Sequence, residues 1–110
     1  MHVPLLDSQA IESAISKLPG WSLHDRALHR EYKFQDFESA FAFITNAAMH
    51  IVKLDHHPDW SNVYSRVSVK LWTHDSGGIT ERDVRLATLL ESIAKRFSPK
   101  SAGNRFAASA

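Results

Sequence analysis

The chain contains no cysteine. Disulfides, thiolate metal ligands and a thiol nucleophile are therefore excluded. Charge of one sign is also lacking: 13 Lys and Arg against 12 Asp and Glu leave a formal net charge of +1 over 110 residues, with histidine counted neutral. That balance does not support a broad basic surface, so no direct nucleic-acid partner is expected. No apolar run approaches a membrane span. The first residues lack a positive segment followed by a long apolar stretch, the pattern of a secretory signal. These absences lead to the expectation of a soluble, cytoplasmic protein with no membrane partner. Internal repeats and linker-like stretches are missing too. One domain over 1–110 is expected, with its core at about 5–97 and a frayed, small and polar tail at 98–110.

What is present is clear periodicity. Asp7 or Ser8 can cap a first helix carrying Ile11, Ala14, Ile15 and Leu18 at helical spacing, which Pro19-Gly20 ends. Trp21-Ser22-Leu23 begins a short strand, Asp25-Arg26-Ala27 reads as a turn, and Leu28 to Phe34 alternates as the second arm of a hairpin. Asp36 is a candidate N-cap for a long second helix. There Phe37, Ala40, Phe41, Ile44, Ala47, Ala48 and Ile51 form a stripe expected to face the core. This helix should end near Asp55, because Pro58 disfavours helical geometry at the residue before it. A strand region follows, divided in two at Tyr64-Ser65. Its second part sets Val67, Val69, Leu71 and Thr73 on one face against Ser68, Lys70 and Trp72 on the other. After the Ser76-Gly77-Gly78 loop, Thr80-Glu81-Arg82-Asp83 resembles a capping box with Asp in the usual Glu position. Leu86, Leu89, Leu90, Ile93 and Phe97 then mark a third helix. This order predicts an α+β single domain, with a mostly antiparallel sheet carrying the helices on one face.

Of seven histidines, His56 and His57 fall just past the second helix and His74 at the end of the alternating strand. Imidazole is the side chain whose ordinary pKa lies nearest neutrality, and the C-terminal end of a helix favours its cation. Histidines at the ends of rigid elements can converge on one pocket. Two chemistries fit: a three-histidine zinc site, or acid/base catalysis. Adjacent His56 and His57 tend to point apart and no cysteine completes a ligand set, which favours acid/base chemistry without metal. Asp55 is placed to hold an imidazole in one tautomer. Trp60 and Tyr64 could stack on a planar heteroaromatic ligand. Asp83 could meet a ligand's polar edge, although capping its helix is the simpler role. His2, His24, His29 and His50 belong to no constellation.

From about Leu5 to Phe97 the sequence resembles the pterin-4a-carbinolamine dehydratases. The resemblance rests on Leu54-Asp55-His56-His57-Pro58-Asp59-Trp60, then Asn62-Val63-Tyr64, Leu71 with Thr73-His74, Gly78 and Thr80-Glu81-Arg82-Asp83. It implies a hydro-lyase, 4a-hydroxytetrahydrobiopterin dehydratase, that needs no cofactor or metal. Such an enzyme removes water from 4a-hydroxytetrahydropterin to give quinonoid dihydropterin, and so recycles the pterin cofactor of aromatic amino acid hydroxylases. The family's catalytic histidines map onto His56, His57 and His74, with Asp55, Pro58, Trp60 and Asp83 as candidate substrate-binding residues. The family fold is a four-stranded antiparallel sheet with three helices packed on one face, assembled as a homodimer or homotetramer. Family members also act as non-catalytic binding proteins, serving as dimerisation cofactors and transcriptional coactivators, so a protein partner is a second expectation. One departure stands out: the ionisable residue usual four positions before the first histidine is Val52 here.

Overall fold

The computed structural model describes residues 3–97. The tail expected at 98–110 and His2 lie outside the described residues. Helix α1 (Ser8–Ser16) starts where the Asp7 carboxylate accepts the Ala10 N–H at 2.8 Å, one of the orphan donors of a first helical turn. Its apolar side is half-buried: Ile11 and Ile15 pack against the core, and Leu18 is buried beyond its end.

Strands β1 (Ser22–His24) and β2 (Ala27–Lys33) form a hairpin in which His24 pairs with Ala27. Its two linking residues, Asp25 and Arg26, both have positive φ (51° and 61°). That is the requirement of the tight turn whose twist matches antiparallel strands. Helix α2 (Phe37–Leu54) begins at Asp36, whose carboxylate accepts the Ser39 N–H at 2.8 Å. Strands β3 (Asp59–Val63) and β4 (Arg66–Leu71) are separated by Tyr64 and Ser65, and Tyr64 turns the chain at φ 52°. Helix α3 (Glu81–Phe97) completes the chain.

The four strands form one antiparallel sheet in the order β1-β2-β4-β3. Its pairing sets Leu28 beside Leu71 and Tyr32 beside Val67, so the apolar faces of β2 and β4 merge. Phe43, Ala47 and Ile51 of α2 and Leu86, Leu90 and Ile93 of α3 close over them in one core. The opposite alternation puts Ser68 and Lys70 on the outer sheet face, as period-two patterning requires. The expected fold class is thus the observed one: three helices over a four-stranded antiparallel sheet.

The α2 stripe needs correction. Phe37 and Phe41 are 45% and 52% exposed, while Phe43, absent from the expected stripe, is fully buried. The cause is the breadth of the apolar arc. Phe37, Phe41, Met49 and Val52 extend it away from the core face of Ala40, Phe43, Ala47 and Ile51. It then covers roughly two thirds of the helix circumference at 3.6 residues per turn. Periodicity cannot tell which half faces inward. Phe37 and Phe41 instead stack on each other, with ring centroids 5.5 Å apart.

A second polar feature ties α3 to the hairpin. Glu91 Oε2 accepts from Trp21 Nε1 at 2.8 Å, Arg30 Nε at 2.9 Å and the Tyr32 hydroxyl. Burial alone would raise the Glu91 pKa, but the bonds from Tyr32, Arg30 and Trp21 prevail and hold it below the usual carboxylate range. Burial, together with the Glu91 hydrogen bond and charge, pushes the Tyr32 phenol well above its ordinary value. Gly20 makes room for the knot. It lies at φ 91°, and a Cβ there would meet Arg30 Cζ at 2.6 Å.

Candidate active site

Helix α2 stops because Asp55 takes a left-handed conformation (φ 55°, ψ 41°) and returns its N–H to Ile51 O at 2.9 Å. The chain leaves the helix axis there, and Pro58 leads it into β3. His56 and His57 are carried on this corner. Beyond β4, Thr73 pairs with Gly78, its N–H donating to the Gly78 carbonyl at 2.8 Å. This closes a tight loop that presents His74 at its start and delivers the chain to the first turn of α3.

The sequence-predicted capping box forms. Thr80 N–H donates to Asp83 Oδ2 at 2.9 Å, and Arg82 N–H donates to Thr80 Oγ1 at 3.2 Å. Asp83 does more than cap. It is fully buried; its Oδ2 also accepts the Thr73 hydroxyl at 2.9 Å, and its Oδ1 lies 2.7 Å from His56 Nε2. The His56 side chain is only 11% exposed. Asp83 is buried behind the depression, with its oxygens taken by Thr80, Thr73 and His56. The carboxylate on the His56 ring is that of Asp83, whereas Asp55 is the exposed helix cap at the rim.

His56, His57 and His74 line one depression of about 320 Å³, together with Asp55, Pro58 and Arg82. This volume lies at the small end of ligand sites. His74 stands on the exposed side, its side chain 62% exposed and its Nε2 3.9 Å from Asp59 Oδ2. Asp59 Oδ2 also accepts from Trp72 Nε1 at 3.3 Å, and the Trp72 and His74 rings lie 4.2 Å apart at 36°. Asp59 and Trp72 belong to the same lining. Trp72 is the tryptophan in this lining, and Trp60 is not among these residues. Trp60 pairs with Val69, is half-buried and packs on the core, because alternation along β3 turns it toward the helices. Tyr64, 67% exposed in its turn, is not in the lining. Val52 is 69% exposed on the last turn of α2.

A larger groove of about 640 Å³ runs between α1 and α3, lined by residues such as Ala14, Leu18 and Val84, with no histidine or aspartate. Size alone would favour it, but the acid/base groups converge on the smaller depression. Among the described residues, no three His, Asp or Glu are grouped to hold a metal ion. Two further histidines also meet: the rings of His24 and His29 lie edge to face at 5.6 Å, brought together by the β1–β2 pairing. His50 is half-buried on α2.

Comparison with known proteins identifies relatives of this chain. The family model described as Pterin 4 alpha carbinolamine dehydratase matches residues 4–93. A Rhizobium johnstonii relative, provisionally named a pterin-4-alpha-carbinolamine dehydratase, is 46% identical over 98 residues, covering 87% of this chain and 97% of the relative. A relative of the same provisional name from Afipia carboxidovorans is 50% identical over 95 residues, covering 84% and 95%. The crystal structure of a protein described as transcriptional coactivator/pterin dehydratase from Brucella melitensis superposes with a TM-score of 0.80 at 42% identity, covering 82% of this chain and 98% of that one.

Proposed function

The chain belongs to the pterin 4 alpha carbinolamine dehydratase family, and from that premise we propose that it removes water from a 4a-hydroxytetrahydropterin by histidine acid/base catalysis, with quinonoid dihydropterin as product. One observation carries the reading: three imidazoles line a single depression, and one of them has Nε2 engaged by a buried carboxylate. A protonated imidazole gives its proton to the C4a hydroxyl. The C–O bond breaks with its electron pair going to oxygen, and water leaves. The neighbouring ring nitrogen supplies the electrons of the new double bond and loses its proton to a neutral imidazole. One carbinolamine thus becomes one quinonoid dihydropterin and one water. Positioned acid/base groups of this kind typically contribute about 10²–10⁴-fold. His56 is the anchored member, and His57 and His74 are the more accessible ones. Pro58 and Asp55 shape the rim, and Trp72 offers a ring face to a planar substrate.

A homo-oligomer is part of the proposal. Phe37, Phe41, Met49 and Val52 leave a run of large apolar side chains exposed along one helix, the kind of patch that marks a contact surface. The same run favours a second reading, a binding protein that acts as a dimerisation cofactor. The deciding experiment follows the dehydration of freshly generated 4a-hydroxytetrahydropterin by absorbance, with and without the protein. Acceleration above the spontaneous rate supports the dehydratase. A spontaneous rate at saturating protein removes it and leaves the binding function.

A further inference from the structure

We infer that Thr73 is a positioning residue: through its buried hydroxyl it fixes the Asp83 carboxylate, and hence the angle at which the His56 ring meets substrate. The inference follows from counting protons. Thr80 N–H can only donate, so Asp83 Oδ2 is an acceptor. Thr73 Oγ1 lies 2.9 Å from that same oxygen and gives it its single proton. The 2.7 Å contact between the two threonine hydroxyls must then run from Thr80 to Thr73. Thr80 Oγ1 in turn accepts the N–H of Arg82 at 3.2 Å. Every proton in this chain is directed at Oδ2. Oδ1 is left as the acceptor for His56, 2.7 Å away. His56 therefore carries its fixed proton on Nε2, and Nδ1 is the nitrogen that exchanges a proton with substrate.

Thr73 and Thr80 are 4% and 0% exposed and Asp83 is fully buried, so water cannot replace a missing hydroxyl at little cost. The three residues come from two places in the chain: Thr73 from just beyond β4, and Thr80 and Asp83 from the cap and first turn of α3. His56 hangs from the end of α2, so the hydroxyl chain is also what sets the angle of the ring.

This inference rests on the dehydratase reading, but its principal test does not. Thr73→Val keeps the β-branched shape and removes the hydroxyl; Thr73→Ser keeps the hydroxyl and removes the methyl. In ¹⁵N-edited NMR, the native protein and Thr73→Ser should show His56 as a single Nε2–H tautomer. Thr73→Val should keep that tautomer, which the Asp83 carboxylate holds, but show a shifted and broadened Nε2–H resonance while remaining cooperatively folded. In the dehydration assay kcat should fall roughly 10- to 100-fold in Thr73→Val, the scale of a hydrogen bond to a charged group, with KM little changed and with recovery in Thr73→Ser. A Thr73→Val protein with a native His56 Nε2–H resonance and native kcat overturns the inference. So does a Thr73→Ser protein as impaired as Thr73→Val. If the native protein shows no dehydration, the assigned function fails, and the NMR comparison still decides the role of Thr73.

Discussion

Replacing Asp83 by asparagine tests the site most directly. The change removes one charge at nearly constant volume in a position with no solvent exposure. The new amide has one oxygen and one NH2 group, and Thr80 N–H obliges the oxygen to take the Oδ2 position. The NH2 group then faces His56 across the 2.7 Å contact now made by Oδ1. Two donors cannot share that line, so Nε2 must become the acceptor and the His56 proton moves to Nδ1. The ring is held in place but in the wrong tautomer for proton exchange at Nδ1. The acid/base contribution of His56 should be lost almost entirely, a fall of roughly 10²–10⁴ in kcat. Stability should fall by only about 1–3 kcal/mol, since neutral hydrogen bonds replace charge-assisted ones. Stopped-flow dehydration, urea unfolding and the ¹⁵N shifts of His56 measure the three effects separately. A folded Asp83→Asn protein with undiminished kcat would refute the assignment of His56 as a proton-transfer group held by Asp83.

The two ends of the site should respond differently to truncation. His74→Ala removes a side chain that is 62% exposed, so the rate should drop at least about tenfold with unfolding unchanged. His56→Ala leaves the buried Asp83 carboxylate without one partner and should cost about 3–5 kcal/mol of stability as well as the rate; equal stability of the two variants would count against the buried pair. Val52→Glu places a carboxylate at a position 69% exposed in the single chain, so the subunit should stay folded and kcat should rise; a dissociated oligomer with unchanged kcat would assign this position to the contact surface and not to turnover. Glu91 has a pKa below the ordinary carboxylate range. Its contribution to stability is complete above the unfolded value of about 4.3 and is lost as pH falls through the lower folded value. Acid unfolding followed by circular dichroism should therefore show a loss of stability below about pH 4 that Glu91→Gln reduces.

Local chemistry made much of this molecule legible in its sequence. Asp7 and Asp36 are short acceptors placed before apolar periodicity, and each caps its helix as such residues should. Asp83 accepts the Thr80 N–H and Thr80 accepts the Arg82 N–H, both within the first turn, so the start of α3 was also visible. The pairing of His56 with Asp83 was not, because 27 residues separate them and only the packing of α2 on α3 brings them together. The signal that could have found it was the substitution within the capping box. An Asp in the Glu position is too short to reach far, and it presents its second oxygen to whatever packs behind the helix start. The exchange of Trp60 for Trp72 has a similar origin. Trp60 lies in β3 and Trp72 one residue past β4, and alternation gives two faces without saying which one borders the loop that carries His74. On α2, an apolar surface too wide for one contact left Phe41 and Phe43 indistinguishable by spacing.

The β1–β2 turn offers the fold a reserve it does not use. Asp25 and Arg26 both occupy the left-handed region, which glycine and asparagine adopt readily and arginine only at a cost of roughly 1–2 kcal/mol. Neither residue borders the histidine depression. An Asn-Gly pair at 25–26 would release that strain while leaving the acid/base groups untouched. The hairpin is thus a place where mutational tolerance can be added, so that substitutions beneath His56 that would otherwise unfold a domain of this size could be carried and their chemistry examined.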